Sequence, residues 1–167
     1  MLLQSINQKS FAFAALAVLT AVSLPSSSAL AEGPFARFAG HWRGTGKISM
    51  SDGTKESITC RGSYAVADAG ATLMQSLTCA SASYKVEVSS QVQAQGDKLS
   101  GSWSETSRGV SGSVSGSVAG GIILATVTGA TFSAGLSLKV TGGAQYVDIK
   151  PSGTTDITEV TVTMKRS

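Results

Sequence analysis

One histidine, two cysteines, three prolines and a charged fraction of only 14% leave this 167-residue chain short of reactive groups. The lone imidazole, His41, has no second histidine and no spare cysteine pair beside it, so no metal site is expected. The same scarcity speaks against Ser-His-Asp catalysis, because no serine carries glycine at both the −2 and +2 positions of a nucleophile elbow. "GTGK" (Gly44 to Lys47) lacks the rest of either phosphate-binding glycine fingerprint. The acidic residues fall mostly in turns or on polar strand positions. The chain therefore reads as non-enzymatic, with no cofactor.

Dense basic runs are missing too. The formal net charge is +3, and the lysines and arginines stand singly except at Lys165 and Arg166. A nucleic-acid footprint needs a basic stripe, best with interleaved aromatics, so no nucleic-acid partner is expected. Long apolar runs are also absent. "FAFAALAVLTAVSL" (Phe11 to Leu24) falls short of the roughly 18 residues a membrane helix needs, and Pro25 with three serines closes it. With Lys9 before it and "ALA" ending at Ala31 after it, the segment 1–31 reads as a secretory leader. The remaining chain would then be periplasmic or secreted, with no membrane span. Cys60 and Cys79, alone in an oxidising compartment, read as one disulfide.

What the chain does have is alternation. Past Pro34 there is no helical period. Apolar residues instead alternate with Ser, Thr, Lys and Gln in short runs, broken about every ten residues by Gly or Asp turns. Ten strands are predicted, at 41–50, 55–66, 72–81, 84–94, 98–105, 110–118, 122–128, 131–140, 145–150 and 157–165. A meander of this kind leaves two raw edges unless it closes. The expected fold is thus all-β: an antiparallel up-and-down barrel of about 8–10 short strands, with a two-layer sandwich as the alternative. Residues 32–40 form an N-terminal segment and 41–167 a single barrel domain, expected to be monomeric. A membrane barrel would need aromatic girdles, and the eight aromatics past residue 31 are too few. A turn at Ala69 and Gly70 would set Cys60 opposite Cys79, making the disulfide a cross-strand staple.

"GVSGSVSGSVAGG" (Gly109 to Gly121) looks like a spacer, yet its alternation is complete. Val110, Gly112, Val114, Gly116 and Val118 share one face, and four serines take the other. Glycines within a strand mark bends or the close approach of another group. Either Trp103 of the preceding strand folds over Gly112 and Gly116, or a cavity lies there. A glycine turn after this strand pairs Val118 with Ile123, Gly116 with Ala125 and Val114 with Val127. That register sends Ile122 and Leu124 to the outer face, where the N-terminal segment or a partner would cover them.

"FAGHW" (Phe38 to Trp42), an aromatic followed by G-x-W at the first strand, resembles the opening of the lipocalins and gives the chain a calycin-like appearance. The resemblance implies that Trp42 closes one end of the barrel. In layout the chain also resembles the small secreted inhibitors of bacterial metalloproteases, where the segment before the barrel enters the protease cleft. That would make "EGPFARF" (Glu32 to Phe38) the contact.

The expected function is the binding of a small apolar ligand, or a role in the cell envelope, with Trp42, Trp103, Gly112, Gly116 and Tyr84 as pocket candidates. The alternative is protein binding, such as periplasmic protease inhibition, with Pro34, Phe35, Phe38, Ile122 and Leu124 as surface candidates.

Overall fold

The structure, a computed structural model, describes residues 32–167; the segment read as a leader lies outside the described residues. A 3-10 turn (Ala36–Phe38) leads into ten strands: β1 (Gly40–Met50), β2 (Lys55–Ala67), β3 (Thr72–Ala80), β4 (Lys85–Gln95), β5 (Lys98–Glu105), β6 (Val110–Ala119), β7 (Ile122–Thr128), β8 (Phe132–Thr141), β9 (Ala144–Gly153) and β10 (Ile157–Arg166). Each pairs antiparallel with its successor, and β10 returns to β1. The sheet is a closed barrel, not a sandwich, and closure removes the edges that would otherwise invite association.

Local chemistry sets the register. Gly120 and Gly121, with φ of 59° and 81°, supply the two left-handed positions of a tight hairpin. The pairs Val118–Ile123, Gly116–Ala125 and Val114–Val127 follow, as the turn predicts. Between β2 and β3 the turn is wider than a two-residue loop, because Asp68 and Ala69 (both φ 52°) and Gly70 (φ 91°) are all left-handed. The register is nevertheless the expected one. Cys60 faces Cys79 across the strands, with Cα atoms 4.2 Å apart, and the two are bonded. The largest boundary difference is in β9, which runs on through Pro151 to Gly153. Past Ile149 its ladder is to β8 alone, and a strand tolerates proline where one side is free.

Because the strands tilt, one row of paired residues followed around the ring returns to β1 about twelve residues from its start. The ring is also bent sharply at two strands. β2 and β10 come within 8 Å of each other across β1, as do β4 and β6 across β5. At these corners Gly44 and Gly101 face the backbone of the next strand, Thr163 to Met164 and Gln91 to Val92, too closely to admit a Cβ. Corner glycines of this kind let a sheet curl.

The core lies inside, and its burial is graded along the axis. At the end where β1 begins, Phe35, Phe38, Trp42 and Gln145 are fully buried and Met164 and Tyr64 nearly so. Toward the other end the inward side chains Leu77, Val88, Val127, Leu136, Ile149 and Val160 are only half-buried, and Val110 at the rim is exposed. The barrel is plugged at one end and more open at the other.

Candidate functional site

The plugged end is built by the segment before β1. Phe35 N–H donates to Gly70 O at 3.0 Å, Gly33 N–H donates to Ala69 O at 3.2 Å, and the 3-10 turn then drives Phe38 inward. Phe35 and Phe38 meet edge to face at 6.3 Å between centroids. The Trp42 indole N–H donates to Phe38 O at 2.9 Å. Arg166 lies over the Trp42 ring, 4.5 Å from its centroid, and donates to the carbonyls of Arg37 (3.0 Å) and Ala39. A stacked, forked guanidinium is suited to tying two carbonyls of the entry turn to one ring.

Two expectations are corrected here. Phe35 and Phe38 are not a free protein-binding surface, because burial of their rings is what closes the barrel; Pro34 is partly buried beside them. Trp42 is no neighbour of Trp103: it sits in the plug, whereas Trp103 lies in the more open half, paired with Ser90 and Gly112.

Around Trp103 the question posed by the glycines has an answer. The indole nitrogen occupies the space that a Gly112 Cβ would reach, at 2.8 Å from that position, and its N–H donates to Thr128 O at 3.2 Å. Phe132 packs on the ring at 5.6 Å. Above Gly116 the backbone of Leu124 and Ala125 on β7 leaves no room for a Cβ. Neither glycine opens a pocket of its own: the backbone of β7 closes on both, at Thr128 O above Gly112 and at Leu124 and Ala125 above Gly116, with Trp103 lying over Gly112 as well. Tyr84 is partly buried against the core just before β4, held by a turn in which its N–H donates to Ser81 Oγ at 2.9 Å.

The interior holds one polar feature that strand alternation alone did not single out. Ser90 Oγ–H donates to Gln75 Oε1 (2.9 Å), Gln75 Nε2–H to the Tyr64 hydroxyl (2.9 Å), and Tyr64 O–H to Gln145 Oε1 (3.2 Å). Four strands thus feed one donor chain. It ends at Gln145 Nε2, which is buried and has no partner among the described residues. Burial pushes the Tyr64 phenol up to about 12, against the opposing hydrogen bond from Gln75 Nε2–H, so it stays a donor at neutral pH. The signal was present in the sequence: Gln145 is in phase with the inward Val147 and Ile149. At the open rim, Glu105 is buried as well. Desolvation pushes its carboxyl up, but hydrogen bonds from Ser107 and from the N–H groups of Glu87, Ser107 and Arg108 outweigh this and bring it down to about 2. It is a staple for the β5–β6 turn.

On the outer surface, Ile122 and Leu124 are 38% and 54% exposed, and the N-terminal segment does not cover them. A shallow open depression beside Leu124 is floored by Gly116 and Gly135 and flanked by Asp148 and Lys150. A second crosses the serine-bearing faces of β5 and β6, at Ser102, Ser104 and Ser111. His41 is exposed, and no cluster of three metal-ligating side chains occurs among the described residues. No helix among them is long and apolar enough to cross a membrane.

No protein-family model matches the chain, and no characterised protein matches it in sequence. Solved structures do match in shape. Rv2717c from M. tuberculosis superposes with a TM-score of 0.63 at 10% identity, covering 79% of this chain and 94% of that one. The S-type phycobiliprotein lyase CPES from Guillardia theta superposes with a TM-score of 0.60 at 11% identity, covering 80% of this chain and 90% of that one. At such identities the likeness is one of fold, and the fold is a calycin-like ten-stranded antiparallel barrel.

Proposed function

We propose that this protein is an exported, non-enzymatic barrel that carries a small apolar ligand, taken in through the end opposite the Phe35–Phe38 plug. One observation carries the reading: inward-facing aliphatic side chains in the more open half, among them Val88, Val127, Leu136 and Ile149, keep solvent contact that an ordinary core would eliminate. Apolar surface held inside a concave wall is a default ligand site, and a barrel mouth is a common place for one. The disulfide is compatible with export. Resemblance to a barrel called a lyase adds a precedent for the fold and nothing about chemistry here.

The test is titration of the purified protein with N-phenyl-1-naphthylamine, a neutral apolar fluorophore. Saturable binding is expected. Leu136→Trp, which fills the interior, should weaken it at least tenfold, while Leu124→Ser on the outer face leaves it unchanged. Binding that is absent, or that follows Leu124 instead of Leu136, would sink the proposal.

The exposed pair Ile122 and Leu124 favours a second reading, in which the outer face of β7 docks a protein. The protease-inhibitor version of that idea loses its contact residues, since Phe35 and Phe38 are occupied in the plug.

A further inference from the structure

Basic residues that stand apart in the sequence meet on the barrel surface. Arg43 on β1 faces Lys165 on β10 to one side and Arg61 on β2 to the other. All three are exposed, while Trp42, Cys60 and Met164 beside them in the chain point inward and are buried. Directly opposed residues of an antiparallel pair lie about 4.5–5.5 Å apart between Cα atoms, and like charges so placed weaken a sheet. The outward side chains around the row, Thr45, Thr59, Ser63, Thr78, Ala144 and Thr163, are uncharged. No ion pair reaches the three cations among the described residues. Toward the open end, by contrast, Lys85 meets Glu87 at 2.8 Å, Arg108 meets Glu105 at 3.9 Å and Lys150 meets Asp148 at 3.8 Å. A row of cations that costs the fold stability is suited to an anion outside the chain.

The neighbouring row decides which anion. Tyr146 on β9 is diagonal to Lys165 and 47% exposed; it faces Lys139 on β8, which in turn faces Ile122 on β7. Leu124 is the next outward residue of β7. These side chains share the broad face between the sharp corners at β1 and β5, with Arg43 at its edge. Asp148, next outward along β9, is neutralised by Lys150. A soluble polyanion has use only for the cations. A lipid surface takes basic side chains at its phosphates and tyrosine or aliphatic side chains at the headgroup boundary, and this face offers both. The outward positions Ser111, Ser113, Ser115 and Ser117 of β6 offer neither.

We infer that the β7–β10 face, at the plugged end, rests on an anionic lipid bilayer as a peripheral contact. Arg43, Lys139 and Lys165 meet the lipid phosphates, and Tyr146, Ile122 and Leu124 enter the headgroup layer. Arg61, just past the corner, adds to the positive field. The contact holds whether or not the interior takes a ligand.

Co-sedimentation with vesicles tests it, using phosphatidylcholine alone and phosphatidylcholine with about one-third phosphatidylglycerol, at ~0.1 M salt. Binding is expected to the anionic vesicles only, and to fade at ~1 M salt. The triple variant Arg43→Gln, Lys139→Gln, Lys165→Gln should bind about a hundredfold more weakly. Its thermal midpoint should not fall, since the Arg43–Lys165 opposition is relieved. Lys55→Gln, Lys98→Gln, Arg108→Gln removes the same charge elsewhere and should change binding less than about threefold. Equal binding to neutral vesicles, an equal loss in the two triple variants, or tighter capture by polyglutamate or duplex DNA than by the vesicles would each overturn the inference. The salt and lipid dependence of the unaltered protein decides the matter even if a variant folds poorly.

Discussion

Gly33 and Gly70 lie backbone against backbone: a Cβ on Gly70 would fall 2.5 Å from the Gly33 Cα. The contact lets Phe35 N–H reach Gly70 O, and so seats the plug on the β2–β3 turn. Gly70→Ala would introduce both this clash and a side chain at φ 91°. We expect it to unseat Phe35 and Phe38, lower stability by about 2–4 kcal/mol and red-shift Trp42 emission in a Trp103→Phe background. Urea unfolding followed by fluorescence measures both; an unchanged midpoint would show that the plug does not depend on this approach.

The neighbouring Ala69 sits at φ 52° with no side-chain reason to do so. Ala69→Gly relieves that conformation and should raise stability by about 0.5–1 kcal/mol, read as a higher thermal midpoint.

The Cys60–Cys79 bond closes a loop of sequence separation 19. In the chain-entropy model, its loss through a Cys60→Ala, Cys79→Ala double variant costs about 3 kcal/mol. The ladder around it is complete without the bond, so the barrel should still form, as circular dichroism would report.

Glu105 links stability to pH. Its carboxyl falls from an ordinary 4.5 to about 2 in the folded chain. A depressed carboxylate stabilises the fold fully above the unfolded value, and that contribution is lost as pH drops through the folded one. Stability should therefore decline between about pH 4.5 and 2, and Glu105→Gln should flatten the decline. Denaturant midpoints across that range check it.

If the outer face of β7 docks a protein, an Ile122→Ser, Leu124→Ser double variant should abolish any concentration-dependent association seen by analytical ultracentrifugation while changing the thermal midpoint little. Both side chains are already largely in water, so folding gains little from burying them.

Alternation with period two, glycine turns and one pair of cysteines determined the ten strands, their order and the register of the β2–β3 and β6–β7 hairpins. These are local properties: side-chain direction repeats every second residue, and a short turn fixes which residues face each other. The same locality placed Gly112 beneath Trp103, because they are direct partners. Closure was expected from the raw edges of a meander, with a sandwich as the alternative, whereas the two sharp corners and the division into a plugged and a more open end came only with the tertiary structure. The tilt of the strands carries each row of partners along the barrel, so residues at one end, such as Trp42 and Gln145, are far apart in sequence. For the same reason Phe35 and Phe38 looked like a free segment until the Gly33–Gly70 approach showed where they go. Gln145 was visible as an inward polar residue, but that its amide ends a chain from Ser90 through Gln75 and Tyr64 is a fact of three-dimensional convergence that no spacing along the chain encodes.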